Sequence, residues 1–176
     1  MAHSTYQVRP MLQRDLAAVL LIQQQCYSSD FQEPVEAFES KWTASPDTCW
    51  VAELGGEVCA YLVCLPIQGS QLPALHASDF RCAERADWLY VHDLAIGHTA
   101  RGTGLASVLI QQAKVQRQGL GLQNMGLIAV QGSCMFWRKF GFEVDESERL
   151  VSADKLVTFG ADAVFMLQRR QSGTAA

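Results

Sequence analysis

The chain has 176 residues and 19.4 kDa, is 49% hydrophobic and 18% charged, and carries 18 acidic against 14 basic residues for a net charge of -4. That composition excludes a disordered chain, and the lack of any Lys/Arg cluster longer than a pair argues against nucleic acid as a partner, since phosphate binding draws on grouped cations. The apolar run Ala17 to Ile22 is far shorter than the roughly 20 residues of a membrane span, and Met1 to Arg9 lack an apolar signal core, so the expectation is a cytoplasmic protein with no membrane partner.

Tyr6 to Arg9 reads as a short strand ending at Pro10. Arg14 to Tyr27 reads as a helix with Leu16, Val19, Leu20 and Gln23 on one face and Asp15 favourably placed for the helix dipole. Pro34 is suited to a first helical position and opens a second helix through Val35, Phe38 and Trp42. Cys49 to Leu54 and Glu57 to Leu65 are β-rich runs joined by Gly55-Gly56, the pattern of a hairpin. Pro66 to Ala86 has two prolines, Gly69 and several serines, and is expected to be a long excursion near the functional site. Asp87 to Ile96 is the strongest central strand. A turn over Gly97 to Ala100 leads through Arg101-Gly102-Thr103-Gly104-Leu105-Ala106 into a helix reaching Gln118, with Gly119 as its stop. A strand over Met125 to Val130, a short helix from Ser133 to Phe140 closed by Gly141, and a strand over Ala163 to Gln168 complete the series. The expected layout is one domain over residues 6–169 and a flexible tail over 170–176, in the mixed α/β class.

Six cysteines (Cys26, Cys49, Cys59, Cys64, Cys82 and Cys134) contain no CxxC and are expected to be reduced, structural thiols. The four histidines have no metal-ligand spacing, so no metal is expected. The informative stretch is Asp87 to Ala106. A strand, a glycine turn and a helix in that order present bare main-chain N–H groups at a positive helix terminus, which suits a phosphate or pyrophosphate, although such a turn also serves as a simple tight connection. A Walker A loop is excluded because Thr103, not Lys, follows Gly102; the dinucleotide fingerprint fails at Ser107, where its third glycine belongs.

Arg101-Gly102-Thr103-Gly104-Leu105-Ala106 matches, position for position, the pyrophosphate loop of the GNAT superfamily of acyl-CoA-dependent N-acyltransferases, and Phe136-Trp137-Arg138-Lys139-Phe140-Gly141-Phe142 is similar to that family's second signature. The chain resembles most a bacterial branch with a His-Asp-Leu-Ala strand and a Phe-Trp pair. The resemblance implies a GNAT-like fold: a mostly antiparallel sheet with one splayed strand pair and helices on both faces. It implies acetyl-CoA as co-substrate, no metal, and transfer of an acetyl group to a small-molecule or peptide primary amine by direct attack in a ternary complex. A homodimer is compatible with it.

By the same resemblance, Leu94, Ala95 and Ile96 pair with the pantetheine arm, Gly102 to Ala106 hold the pyrophosphate, and the main-chain N–H of Leu94 faces the developing negative charge, a donor typically worth about 3 kcal/mol. Arg101 either assists there or is a solvated loop residue. His92 is the candidate base, because strand parity puts it on one face with Tyr90 and Leu94, or else a hydrogen-bonded core histidine. Parity sends Asp93 to the opposite face. Trp137 stands where the family places a Tyr that protonates the leaving thiolate, and an indole cannot give up its proton at neutral pH. It lines the pocket or fills core, while Ser133 either caps the short helix or contributes to the pocket. The missing Tyr also leaves room for a second reading, an acyl-CoA-binding module with little or no turnover.

Overall fold

A computed structural model describes residues 6–69, 71–147 and 150–169; the tail expected at 170–176 lies outside the described residues. The elements are β1 (Gln7–Pro10), α1 (Leu16–Cys26), α2 (Val35–Ala44), β2 (Cys49–Leu54), β3 (Glu57–Ile67), β4 (Trp88–Ile96), α3 (Leu105–Gly119), β5 (Asn124–Ala129), α4 (Cys134–Arg138), β6 (Glu143–Val144), α5 (Ala153–Val157) and β7 (Val164–Arg169). The strands form a seven-stranded sheet in the order β1-β2-β3-β4-β5-β7-β6, antiparallel at every pairing except β4 with β5. This is the mixed α/β fold expected, with helices on both faces.

The two faces are two cores. One gathers Leu62, Leu89, Val91, Leu127 and Met166 from the sheet under Leu109 and Ala113 of α3 and Trp137 of α4. The other gathers Tyr61, Val63, Trp88, Tyr90 and Phe165 under Val19 of α1 and Phe38 of α2. Strand alternation feeds both: neighbouring side chains point to opposite faces, so continuous apolar runs such as Tyr61 to Leu65 belong to a sheet covered on both sides.

Several boundaries differ from those read in the sequence. The first helix is preceded by a 3-10 turn, Gln13–Asp15, where the Asp15 carboxylate accepts the Leu12 N–H at 2.8 Å and is held by the Arg9 guanidinium. β3 runs on through Pro66, which pairs with Leu89 beyond the last β2 partner, Val63, so its missing N–H has no strand on that side to serve. The short β6 and α5 carry too few residues for a readable periodicity and went unseen in the sequence.

Two features shape the site. β4 and β5 pair only from Trp88 with Asn124 to Val91 with Leu127; beyond that β4 stays with β3 and β5 with β7, so the sheet opens between them. The pairing of β3 with β4 also slips where Val63 faces Asp93 but Cys64 faces Val91, which leaves His92 as an extra, bulged residue.

Gly126 sits at the closed end of that opening, opposite Tyr90. A Cβ there would lie 2.3 Å from Cζ3 of Trp88, whose indole is tethered by a 2.6 Å bond from Nε1 to the Gly69 carbonyl. Gly126→Ala is therefore expected to overpack the core and destabilise by about 1–3 kcal/mol, read as a fall of roughly 2–4 °C per kcal/mol in thermal unfolding. An unchanged midpoint would show that Trp88 has somewhere to retreat.

Candidate active site

The opening between β4 and β5 leads into a cavity of about 560 Å³. On one side it is lined by the N-terminal turn of α3 and by α4, with Gly102, Gly104, Leu105, Ala106, Ser133 and Trp137; on the other by the α1–α2 connection and the β3–β4 excursion, with Tyr27, Glu33 and Leu75. His92, Leu94, Ala95, Ile96 and Arg101 line it as well, so the residues singled out in the sequence converge on one space, Thr103 beside them in the loop.

Gly102 and Gly104 have φ of +75° and +84°, a region that side chains rarely adopt, and a Cβ on either would meet nothing within 4 Å. Their outer side is thus bare main chain facing open space. Ser107 and Val108 are the first to donate back, both to the Gly104 carbonyl, at 3.0 and 3.3 Å. The amides of Gly102 to Ala106 meet no acceptor among the described residues. Together with the positive end of the fifteen-residue α3, this row has the chemistry to hold an anion. The Arg101 side chain is exposed and leans back on the Ile96 carbonyl, with Nε at 3.4 Å.

In β4, Gly97 donates its N–H to the Cys59 carbonyl at 2.8 Å, so by antiparallel alternation Ala95 faces β3 while Leu94 and Ile96 turn their main-chain groups away from it, toward the split. The Leu94 carbonyl takes a hydrogen bond from Tyr27 Oη at 3.0 Å, and the Ile96 carbonyl one from Cys26 Sγ at 3.3 Å. The Leu94 N–H remains directed into the opening.

The bulge corrects the parity argument. His92 does share the α1/α2 side with Tyr90, whose ring lies 5.8 Å from it, but Asp93 lies on that side too, accepting hydrogen bonds from Tyr27 and Tyr61 at 2.7 Å each, while the Leu94 side chain packs toward α3. An extra residue resets the alternation, and nothing in a sequence marks it. Burial, opposed by the two tyrosine hydroxyls, pushes the Asp93 carboxyl up to about 6. Burial also raises the phenols of Tyr27, Tyr61 and Tyr90 above their ordinary range.

His92 is held by a residue the sequence reading missed. Its Nε2 lies 2.9 Å from Glu33 Oε2, and Glu33 Oε1 accepts from Lys41 Nζ and from the His76 N–H, each at 2.9 Å. Lys41, fully buried, also donates to the Ala37 and Ala77 carbonyls. Gln23 binds both main-chain groups of Glu33, fixing it in place. Burial alone would raise the Glu33 carboxyl, but His92 and Lys41 outweigh it and hold the group down at about 2. Glu33 is therefore an acceptor only, Nε2 of His92 must donate, and in the neutral ring the lone pair falls on Nδ1. Nδ1 is buried and has no partner among the described residues. A signal for Glu33 was absent, since it stands 59 positions from His92.

Ser133 stands at the N-cap of α4, but its side chain makes no capping bond; only its carbonyl serves the helix, accepting from Phe136 and Trp137. Capping is thus not its role. Trp137 is buried against Phe136, Phe140 and Phe142 and also borders the cavity. Trp42, Trp50 and Trp88 do not line it: Trp50 and Trp88 are core, and Trp42 donates to the Met11 carbonyl. The excursion after β3 is irregular and brings Leu75 to the cavity. All six cysteines are free, and among the described residues no cluster of His, Cys, Asp or Glu could hold a metal. No helix among them is long and apolar enough to cross a membrane.

No curated protein matches the chain in sequence. Among solved structures, the chain is similar to the loading GNATL domain of CurA from Lyngbya majuscula, at 13% identity and TM-score 0.77, covering 94% of this chain and 98% of that one. It is similar to Ard1 from Thermoplasma volcanium, at 14% identity and TM-score 0.70, covering 94% and 98%. A GNAT family acetyltransferase from Brucella melitensis, solved in complex with acetyl-CoA, matches at 19% identity and TM-score 0.63, covering 96% and 90%. At these identities the likeness is one of fold. Residues 16–142, well over half of the sequence, match the acetyltransferase (GNAT) family, and the chain belongs to it.

Proposed function

We propose that residues 6–169 act as one N-acetyltransferase domain that moves an acetyl group from acetyl-CoA to a primary amine by direct attack. The observation that carries this reading is the convergence, around one cavity, of an unpartnered amide row at α3, a strand N–H turned into the sheet opening, and a histidine whose second nitrogen is held by an ionised carboxylate. Acetyl-CoA supplies an acyl group already activated as a thioester.

In this reading the amides of Gly102 to Ala106 bind the pyrophosphate, and the main chain of Leu94 to Ile96 aligns the pantetheine arm. The Arg101 side chain leaves the Ile96 carbonyl to meet the phosphates. Ser133 and Trp137 line the thiol end. The amine nitrogen bonds to the acetyl carbon as the carbon–sulfur bond breaks. The Leu94 N–H stabilises the negative charge that develops on the acyl oxygen. An alkylamine with a pKa near 10 is mostly protonated at neutral pH, so the Nδ1 lone pair of His92 takes the amine proton, with Glu33 stabilising the charge this creates on the ring. The attacking nitrogen gives up its second proton to solvent as the amide forms, and CoA leaves as a thiolate that recovers a proton from solvent. With Trp137 in place of a phenol no side chain is assigned as acid, and the same feature favours the second reading, an acyl-CoA-binding module with little or no turnover.

Thermal unfolding with acetyl-CoA, CoA and NAD as ligands tests the reading. At one hundred times the dissociation constant, acetyl-CoA is expected to add about 2.7 kcal/mol, a rise of roughly 5–10 °C, with a shift for CoA and none for NAD. Gly104→Val forces a branched side chain into a left-handed position facing the cradle and is expected to abolish the shift. Release of thiol with amines then separates enzyme from binding module. An absent shift at millimolar acetyl-CoA would reduce the loop to a turn.

A further inference from the structure

The acceptor half of the cavity has a chemistry of its own. Resting on the transfer reaction proposed above, we propose that it takes an arylalkyl monoamine in preference to a polyamine. Away from α3, four separate segments bring the apolar side chains Phe31, Leu75, Ile128 and Phe159 to the cavity, beside the polar Tyr27, Glu33, His92 and Asp93. Phe31 and Phe159 are aromatic rings, which receive another ring edge-to-face or offset.

Among the described residues, the carboxylates that line the cavity are Glu33 and Asp93, and both are engaged. Glu33 is shared by Lys41, His92 and the His76 N–H, and Asp93 by the hydroxyls of Tyr27 and Tyr61. A second ammonium brought into this space would lose its water and find no free anion, a cost that a ring or alkyl group does not carry. Among the described residues, the Lys and Arg side chains on the wall, Arg101 and Lys139, belong to the α3 and α4 side, where phosphates are expected, so an acidic substituent on the amine gains nothing at the apolar end.

The wall is also preformed. The ion network that holds His92 pins the segment carrying Leu75, since Glu33 accepts the His76 N–H and Lys41 donates to the Ala77 carbonyl, both at 2.9 Å. Past the end of β5, Gln131 Nε2 donates to Ser28 Oγ at 3.2 Å and the Gly132 N–H to Asp162 Oδ2 at 3.1 Å, tying this segment to the α1–α2 connection and to the turn after Phe159. A wall braced from several sides selects by shape as well as polarity.

Thiol release by the intact protein with acetyl-CoA tests this, using 2-phenylethylamine, n-butylamine and spermidine as acceptors. The expected kcat/KM for 2-phenylethylamine exceeds that for the other two by at least tenfold. Leu75→Asp, which adds an unengaged carboxylate to the wall, is expected to raise the spermidine to phenylethylamine ratio at least tenfold while the thermal shift with acetyl-CoA stays as in the native protein. Comparable or better use of spermidine by the native protein overturns the proposal, as does a failure to turn over any amine while acetyl-CoA still raises the midpoint. If acetyl-CoA gives no shift at all, the acetyl-transfer reading falls first and this inference with it.

Discussion

Replacing His92 with alanine or glutamine is expected to lower kcat for amine acetylation at neutral pH by about 10²–10⁴-fold, the usual worth of a positioned base, with the acetyl-CoA thermal shift unchanged. Glutamine matters because it can keep a donor toward Glu33 Oε2, now 2.9 Å from the imidazole, without a titratable nitrogen. The pH profile is the sharper readout. With the base gone, the rate should follow the free fraction of the amine, about one part in a thousand at pH 7 for a pKa near 10, and climb tenfold per pH unit toward that value. The native profile should flatten well before it. Parallel profiles for native and variant proteins would remove His92 from the chemistry and leave it as a core residue bonded to Glu33.

Lys41→Met is expected to destabilise the fold by about 3–5 kcal/mol, because it strips a buried carboxylate of its fully buried cation while leaving the carboxylate in place. In thermal unfolding this is a fall of roughly 6–20 °C. The sign of the pH dependence follows from Glu33, whose carboxyl is held down at about 2 against an ordinary value of 4.5. A lowered folded-state pKa contributes stability that is fully present above 4.5 and is lost as pH falls through the interval toward 2. The gap between native and Lys41→Met proteins should therefore narrow over that interval. A loss below about 1 kcal/mol would show that the lysine contributes packing and little charge pairing.

These two results are linked through the structure. Glu33 joins a lysine on α2, a histidine on β4 and the amide of His76 in the excursion after β3. The same carboxylate thus sets the tautomer of the candidate base and anchors the segment that carries Leu75. A change at Lys41 is expected to reach both stability and the acceptor wall.

Much of this was legible in the chain itself. The hairpin at Gly55-Gly56, the strand ending at Ile96 and the helix behind Gly104 rest on local rules, such as turn chemistry, apolar periodicity and helix start signals, that need no distant partner. The turn over Gly102 and Gly104 was readable for the same reason, since both glycines take a left-handed conformation directly ahead of α3. Tertiary structure decided what depends on pairing across distance. The bulge at His92 exists only as a mismatch between β3 and β4, and it alone put Asp93 beside Tyr27 and Tyr61. The split between β4 and β5 arises because β5 keeps β7 while β4 keeps β3. Nothing local in the sequence sets Glu33 and Lys41 apart from other charged residues; burial together with His92 makes them an ion network, because a charge taken from water persists only where the fold brings it partners.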